Sequence, residues 1–481
     1  MRLPRPSVNF LMVLICLFLS CIGSFALAAP EETVSMPKFT SVSVHDPSII
    51  RAPDGTFYIY GSHMAAARSE DLINWRMISR DAQSGCTLVE NVQQQMSEAL
   101  TWAKTTTFWA PDVQQLRDGR YALYYCTCEG SSPLSALGLA ISDSPEGPFV
   151  NQGVFLKSGA SGYNATYYPN VVDPCAFFDK EGRLWMVYGS YSGGIFILEM
   201  DPETGFPLEG QQTYGTKLLG KNHARIEGPY ILYSPETDYY YLFLSFGGLD
   251  ANGGYNIRVC RSKNPDGPYE DSLGQDMIYC GGKTGTFFHD EDYVGYAVKL
   301  MGGYHFAVLA SDTNRMSVAY RSPGHCSAWY DETTGQYFLV FHTRFASSGE
   351  SFSVRVHQMY MNDQGWPVVS PLRYAGETPE TVPGEDMPGV YKLLFHEHDI
   401  NTVKHESCLG TLLPDGTVEG DAEGTWTCED GKNLTLTLSG TVYHGIMHKA
   451  LDGAQSARVT CFSVLNEAGE ALWGIRAEDV P

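Results

Sequence analysis

The sequence has few charged residues, and few of these are basic. Charged residues make up 18% of the chain, with 32 Lys and Arg against 55 Asp and Glu, for a net charge of −23. An acidic surface of this kind repels nucleic acid and anionic membranes, so neither is expected as a partner. The charge suits a neutral ligand, although solubility alone would explain it equally well.

Motifs for zinc binding and for membrane-spanning helices are missing from the sequence. The 12 cysteines form no CxxC pair and no Cys/His array at zinc spacing, which argues against a structural zinc site. After residue 29, no apolar run approaches the ~20 residues that a membrane helix requires. The chain therefore has the composition of a globular protein that is not held in a membrane.

The first 29 residues have the pattern of a cleaved export signal. Two early arginines precede an apolar run at 10–22, and Ala26-Leu27-Ala28 matches the small-x-small motif of a cleavage site. We predict a signal peptide at 1–29, a secreted extracellular protein and no membrane attachment after cleavage. Cys21 leaves a periplasmic protein or a surface-attached lipoprotein open as the alternative.

One sequence pattern recurs five times along the chain. The whole chain contains 49 glycines and 26 prolines, which indicates a turn-rich protein. Each copy contains a polar residue, a short apolar stretch, a turn and an aromatic run, which predicts a two-stranded hairpin. The copies begin at His45-Asp46-Pro47, Trp109-Ala110-Pro111-Asp112, Val172-Asp173-Pro174, Ile226-Glu227-Gly228-Pro229 and Gly324-His325.

The spacing of these copies predicts the architecture. Most repeats have the length of a four-stranded sheet, and five such sheets arranged radially form a five-bladed β-propeller. We predict an all-β fold with this propeller at residues 30–378. A linker rich in Pro, Glu and Gly at 376–389 precedes further alternating strands, which predicts a small C-terminal β-barrel or sandwich at 379–481.

The polar residue of each copy should open the innermost strand of its blade, so that all five meet at one end of the channel. These residues are Asp46, Asp112, Asp173, Glu227 and His325. Buried charges are costly unless they are paired or used, so this set indicates a functional site. One protonated and one ionised carboxyl group can hydrolyse a glycosidic bond, and a third carboxylate nearby would keep the acid protonated.

Several longer motifs can be compared with known families. They are Tyr168–Pro174, Trp185–Gly194, His223–Tyr230, Gly324-His325 and His342–Phe345. Together they resemble glycoside hydrolase family 43, and within it the endo-α-1,5-L-arabinanases that carry an additional C-terminal domain. The resemblance implies an inverting, endo-acting enzyme that cleaves α-1,5-L-arabinofuranosidic links in arabinan, a pectin side chain of the plant cell wall. We expect the protein to be a monomer.

Residue roles are carried over from the family motif by motif. The resemblance implies that Asp46 is the general base, that Glu227 is the general acid and that Asp173 tunes Glu227. It also implies that His325 holds a calcium ion in the channel, largely through water molecules. Calcium prefers oxygen ligands, so a purely structural His325 stays open as the alternative. For Asp112 the resemblance implies a structural or substrate-adjacent role and not a catalytic one, and we favour the structural role.

Further residues at the same end of the channel are expected to contact the sugar. They are His45, Trp109, Asn170, Ser190, Tyr191, Ser192 and Arg344. Packing between strands is an equal alternative for Trp109, and His45 could orient Asp46 instead. Arg344 could bind a hydroxyl group or neutralise the carboxylates.

Two other functions are compatible with the same residues. An exo-acting α-L-arabinofuranosidase or β-xylosidase would differ in loops that block one end of the groove, and the sequence does not reveal that shape. A non-catalytic sugar-binding propeller would be the alternative from another class. The complete set of three acidic residues argues against a pure binding module, which would not need all three.

Overall fold

The computed structural model describes residues 36–130, 133–312, 314, 319–346 and 348–477. The predicted signal peptide lies outside these residues. Within them, no helix is both long and apolar enough to cross a membrane. In the described part of the chain, helical structure is limited to α1 (Val92–Gln95), α2 (Ser97–Ala103) and single 3-10 turns at Ser62–Met64, Met277–Tyr279, Asp290–Asp292 and Gly384–Asp386.

The first three blades are antiparallel four-stranded sheets in which sequential strands pair. Blade 1 contains β1 (Ser48–Arg51), β2 (Phe57–Gly61), β3 (Ala65–Ser69) and β4 (Trp75–Ser79). Blade 2 contains β5 (Phe108–Gln115), β6 (Tyr121–Cys128), β7 (Ser135–Ser142) and β8 (Val150–Lys157). Blade 3 contains β9 (Cys175–Phe178), β10 (Leu184–Tyr188), β11 (Ile195–Met200) and β12 (Thr216–Leu219).

The last two blades depart from this regular pattern. Blade 4 contains β13 (Ile226–Ser234), β14 (Tyr239–Phe246), β15 (Asn256–Ser262) and, after a long insertion at 263–297, β16 (Val298–Met301). Blade 5 contains β17 (Tyr304–His305), β18 (Ala319–Asp331), β19 (Gln336–Phe345), β20 (Phe352–Met361) and β21 (Pro367–Arg373). These sheets confirm the predicted all-β, five-bladed propeller.

Apolar clusters between neighbouring blades close the ring. Separate buried clusters join blades 1 and 2, 2 and 3, 3 and 4, and 4 and 5, and a further cluster joins blade 5 back to blade 1. The segment before β1 seals this last junction. The amide of Trp75 donates to the carbonyl of Thr40, and the amide of Val354 donates to the carbonyl of Val42, at 3.0 Å each.

The C-terminal region forms a closed eight-stranded barrel, which decides between the predicted barrel and sandwich. Its strands are β22 (Gly389–His396), β24 (Cys408–Leu412), β25 (Thr417–Gly420), β26 (Gly424–Thr427), β27 (Asn433–Leu438), β28 (Thr441–Asp452), β29 (Ala457–Asn466) and β30 (Ala471–Arg476). The predicted boundary at 378/379 falls between β21 and β22. Strand β23 (His405–Glu406) leaves the barrel and pairs in parallel with β17, which extends blade 5.

The barrel packs against blades 4 and 5. Leu394, Ile446 and Trp473 of the barrel lie in the same buried cluster as the residues between those blades. Lys392 of the barrel forms a fully buried ion pair with Asp312, with an N–O distance of 2.9 Å. These contacts fix the outer edges of the blades that carry Glu227 and His325.

Candidate active site

Backbone conformation places the site residues at the entrance of the inner strands. Asp46, Asp173 and His325 all have left-handed backbone conformations, with φ of 56°, 56° and 41°. In blade 4 the same conformation falls on Gly228, with φ of 59°, so Glu227 lies one residue earlier than its counterparts. A β-carbon on Gly228 would lie 3.0 Å from the ring of His325. The glycine therefore allows the close approach of blades 4 and 5 beside the carboxylate.

Asp46 is a buried carboxylate surrounded by hydrogen-bond donors. Oδ2 lies 2.8 Å from Nδ1 of His45 and accepts a 2.5 Å hydrogen bond from Ser62, and Oδ1 lies 3.1 Å from Nδ1 of His325. Burial alone would raise the pKa of Asp46, but the imidazoles of His45 and His325 outweigh it and hold that pKa well below its usual range. Asp46 is therefore ionised at neutral pH, as a general base must be.

Glu227 is held by two hydroxyl groups from neighbouring segments. The Ser190 hydroxyl donates to Oε2 at 2.7 Å, and the Tyr255 hydroxyl donates to Oε1 at 2.5 Å. The side chain is 7% exposed. These bonds orient the carboxyl group and leave it at the surface of the channel.

Asp173 contacts the segment that carries Glu227. Its Oδ2 accepts a 3.3 Å hydrogen bond from the amide of Gly228, the residue after Glu227. Burial raises the pKa of Asp173 to about 8, and the negative charges of Glu227 and Asp46 act in the same direction. The positive charge of His325 opposes this rise but does not cancel it. Asp173 therefore holds a proton near neutral pH.

His325 faces the carboxylates from blade 5. Burial would lower its pKa, but the charges of Asp46, Asp173 and Glu227 raise it to about 9. Its amide donates to the hydroxyl of Ser245 at 2.7 Å, which fixes the residue to blade 4. In the structure His325 is thus a cationic partner of Asp46.

The prediction that all five polar residues meet at the site is wrong for Asp112. In blade 1 the residue before the proline is Asp46, whereas in blade 2 the residue before the proline is Ala110. Asp112 lies two residues further along the strand than Ala110. Its carboxylate accepts hydrogen bonds from the hydroxyl of Ser48 and from the amide of Ala176, the latter at 2.6 Å. It connects the inner strands of blades 1, 2 and 3, in agreement with the structural role favoured for it.

Four of the expected sugar contacts lie beside the carboxylates. His45 contacts Asp46 directly, and Ser190 contacts Glu227 directly. Tyr191 and Ser192 follow Ser190 in left-handed conformations, with φ of 47° and 42°, and the amide of Tyr191 donates to the carbonyl of Ile226. This turn therefore presents polar groups next to Glu227.

The other three expected sugar contacts are engaged with protein groups. The indole N–H of Trp109 donates to the carbonyl of Cys128 at 2.9 Å, although its ring remains partly exposed. The Asn170 side chain accepts a 2.5 Å hydrogen bond from Ser135. Arg344 pairs with Glu350 at 2.7 Å. Its buried Nη1 has no hydrogen-bond partner among the described residues, so contact with a sugar hydroxyl or neutralisation of the carboxylates stays a prediction for Arg344.

Three residues of the site were not predicted. Ser62 lies in the turn after β2, Tyr255 precedes β15 and His342 lies in β19, and none occupies a repeated position. The amide of Asp46 donates to Nδ1 of His342 at 3.2 Å, which makes that imidazole neutral, and burial holds its pKa well below the usual range. His342 does lie in a motif that resembled the family, which was the only signal available.

The donor set around Asp46 fits a cation. His45, Asp46 and His342 place potential ligand atoms within 4.8 Å of one another. The buried Nε2 of His342 has no hydrogen-bond partner among the described residues; because Nδ1 accepts from the amide of Asp46, Nε2 carries the proton and can donate to water but cannot bind the ion directly. Carboxylate oxygens are the preferred ligands of calcium, and Asp46 supplies them in this group. His325 contacts Asp46; it can bind the ion directly only after losing its proton, and as a cation it orients that carboxylate.

The chain is similar to known proteins over nearly its whole length. Residues 39–290 match the model of glycosyl hydrolases family 43, and residues 371–474 match a C-terminal lipocalin-like domain. Extracellular endo-alpha-(1->5)-L-arabinanase 2 of Bacillus subtilis is 52% identical over 469 residues, covering 96% of this chain and 98% of that protein. The extracellular endo-alpha-(1->5)-L-arabinanase of Thermotoga petrophila is 42% identical and covers 98% of this chain and 100% of its own.

The similarity extends to the three-dimensional structure. The crystal structure of endo-1,5-alpha-L-arabinanase from Thermotoga petrophila superposes with a TM-score of 0.87 at 43% identity. The match covers 92% of this chain and 100% of that one. Propeller and barrel are thus shared together.

Proposed function

The chain belongs to glycosyl hydrolases family 43, and on that premise we propose that it is an endo-α-1,5-L-arabinanase. The observation that carries this proposal is the 52% identity, over 96% of the chain, to a protein named for that activity. The substrate would be arabinan of the plant cell wall. Because both relatives are named extracellular, we infer that the protein is secreted through the signal at 1–29 and acts outside the cell. We also infer that it is a monomer.

The two proton transfers are assigned to carboxyl groups with opposite protonation. Asp46 is ionised and takes a proton from the attacking water. Glu227, oriented by Ser190 and Tyr255, gives a proton to the departing sugar oxygen. Asp173, which bonds the amide of the residue after Glu227, is assigned the role of tuning Glu227. His45, Ser190, Tyr191 and Ser192 are assigned to sugar hydroxyl groups.

The proposed stereochemistry is inversion. Asp46 comes from blade 1 and Glu227 from blade 4, which are not adjacent around the channel. Inverting glycosidases separate their carboxyl groups to admit a water molecule between the base and the sugar, whereas retaining enzymes bring them closer. A direct attack by Asp46 on the sugar is not part of this proposal.

A single digestion tests the activity, its endo character and its stereochemistry. We expect linear arabinan to be cut first into oligosaccharides of intermediate length, with little activity on arabinoxylan or on nitrophenyl arabinofuranoside or xyloside. Proton NMR of the first products should show inverted anomeric configuration. Release of monosaccharide from the start would favour the exo-acting alternative, and binding without cleavage would favour the sugar-binding propeller. Retained configuration would contradict the role of Asp46 as a base.

We also propose that one calcium ion binds beside Asp46 and His325, largely through water. When bound, such an ion would supply positive charge that offsets repulsion among the three carboxylates and keeps Asp46 ionised. The side chains of His45 and His342, which border Asp46, would limit the space available to the ion. His325 would position it or orient Asp46 toward it.

Removal of this ion should weaken the enzyme. We expect prolonged treatment with a chelator to lower activity and melting temperature, and added calcium to restore both, because the carboxylates would repel one another without it. His325→Ala should resemble the chelated enzyme and respond little to calcium. Elemental analysis of the purified protein measures the ion directly. A metal-free protein with full activity, together with an unaffected His325→Ala variant, would leave His325 with a structural role.

A further inference from the structure

Two adjacent phenyl rings project from the rim of the propeller close to Glu227. Phe287 is 62% exposed and Phe288 is 46% exposed, and their ring centroids lie 4.2 Å apart. Both belong to the insertion between β15 and β16. Phe288 packs at 5.5 Å against Tyr191, which follows the serine bonded to Glu227, and Phe287 packs at 4.5 Å against His223. We call these two rings the rim aromatics.

The rim aromatics are held in place by a network of polar contacts. The guanidinium of Arg225 forms a two-pronged ion pair with Asp290, and the amide of Arg225 donates to the hydroxyl of Tyr293 at 2.9 Å. On the other side of the rings, Asn222 donates to the carbonyl of Gly282 at 2.6 Å. Arg225 lies two residues before Glu227. The loop that carries the rings is therefore fixed to the segment that carries the proposed acid.

The rim aromatics are exposed to solvent although the loop that carries them is fixed, so packing in the protein core does not account for them. Phe288 has a left-handed backbone conformation, with φ of 54°, which is costly for a bulky residue. The loop thus accepts strain and keeps two apolar side chains in water. Exposed apolar groups on a well-fixed loop are typical of a binding surface.

The position of the rings relative to the two carboxylates defines which part of a substrate they would meet. The acid of a glycosidase lies at the oxygen of the leaving group, whereas the base lies on the opposite face of the cleaved sugar. The rim aromatics contact Tyr191 and His223, which flank Glu227 in blades 3 and 4. Asp46 lies in blade 1. A chain that crosses the channel would therefore place its leaving-group sugars over the rings.

We propose that Phe287 and Phe288 bind the arabinan chain on the leaving-group side of the cleaved bond, by contact with the apolar faces of its furanose rings. This inference rests on the proposed function and adds a specificity-determining site to it. A neutral, polyhydroxylated chain with C–H faces suits this surface, because the rim aromatics provide apolar area and Tyr191 and His223 provide adjacent polar groups.

The test compares the double variant Phe287→Ala/Phe288→Ala with wild type on arabino-oligosaccharides of increasing length and on linear arabinan. We expect KM for arabinan to rise about tenfold, the loss that corresponds to burial of one phenyl ring, with kcat nearly unchanged. The loss should shrink on the shortest substrate that is still cleaved. Phe287→Tyr/Phe288→Tyr retains the rings and should retain KM.

Tyr279→Ala is the matched control. Tyr279 is an exposed aromatic residue of the same insertion, at 68% exposure, and its removal should leave all kinetic constants unchanged. An equal loss on every chain length, accompanied by a lower melting temperature, would show that the rim aromatics act only on the fold. Unchanged KM for arabinan in the double variant would also overturn the proposal.

Cleavage of a reducing-end-labelled arabinohexaose tests the side of the groove. With leaving-group binding weakened, fewer sugars should occupy that side, so the double variant should cut nearer to the reducing end than wild type does. A shift toward the non-reducing end would place the rings on the opposite side and overturn the proposal. Failure of wild type to cleave arabinan at all would count against the proposed function instead, which keeps the two outcomes distinct.

Discussion

Replacing Glu227 by Gln is expected to reduce the rate of arabinan hydrolysis by about 10²- to 10⁴-fold, the contribution typical of a general acid. Gln has the shape of Glu, and its amide oxygen can still accept one of the two hydroxyl hydrogen bonds from Ser190 and Tyr255, while its NH2 group can only donate to the other hydroxyl oxygen. It has no proton to give to the departing oxygen. Steady-state rates on linear arabinan measure the loss of activity. The melting temperature, measured in parallel, shows whether the variant is still folded.

The leaving group distinguishes loss of the acid from other defects. A nitrophenolate departs without protonation, so Glu227→Gln should lose far less activity on nitrophenyl glycosides of arabino-oligosaccharides than on arabinan. Glu199→Gln makes the same chemical change at a partly exposed position of blade 3 and should behave as wild type. Equal losses on both kinds of substrate, or near wild-type activity on arabinan, would show that Glu227 is not the acid.

Much of the fold could be predicted from the sequence because propeller blades repeat. Each hairpin carries its own turn signal, as at Asp54-Gly55 in blade 1 and Asp118-Gly119 in blade 2, and the observed strands flank these turns. Closure of the ring and the parallel pairing of β23 with β17 depend on contacts between distant segments. Such contacts leave no local pattern, so the sequence could not reveal them.

The sequence predicted which chemical groups form the candidate site, but not which position of each repeat carries them. Aligning the repeats by acidic residues put Asp112 and Glu227 at positions equivalent to Asp46. The structure shows that the shared feature is a left-handed residue, which stands just before the inner strand in blades 1 and 3 and at an irregularity within it in blades 4 and 5, where it is Gly228 and His325. Glutamate reaches the channel from the preceding residue because it is one methylene longer than aspartate. Asp112 lies further along its strand and joins the blades instead.

The residues that orient Glu227 illustrate what repetition cannot show. Tyr255 lies between β14 and β15, and it reaches Glu227 only because Gly324 leaves room for its ring. A β-carbon on Gly324 would lie 2.0 Å from that ring. The pairing depends on one glycine that opens the fifth copy of the repeat and on one tyrosine of blade 4 that lies outside the repeated pattern.

Replacing Asp46 by Asn should cause a loss as large as that of Glu227→Gln, but with a different dependence on the substrate. Asn cannot take a proton from water, and the loss of a general base is expected to cost about 10²- to 10⁴-fold. Water must attack whichever group departs, so the loss should be similar on arabinan and on nitrophenyl glycosides. Rates on the two substrates, measured side by side for both variants, give the comparison.

A nucleophile that needs no base offers the stronger test of Asp46. Azide ion should restore turnover of the nitrophenyl substrate by Asp46→Asn and form an arabinosyl azide of inverted configuration, while Glu227→Gln should gain no rate on arabinan. Asp112→Asn is the matched control, since it makes the same change at another buried carboxylate of an inner strand. Because Asp112 only joins Ser48 and Ala176, its variant should lose melting temperature but keep the activity of the folded fraction. If azide restored nothing and Asp112→Asn lost as much activity as Asp46→Asn, then Asp46 would act through the structure of the channel and not as the base.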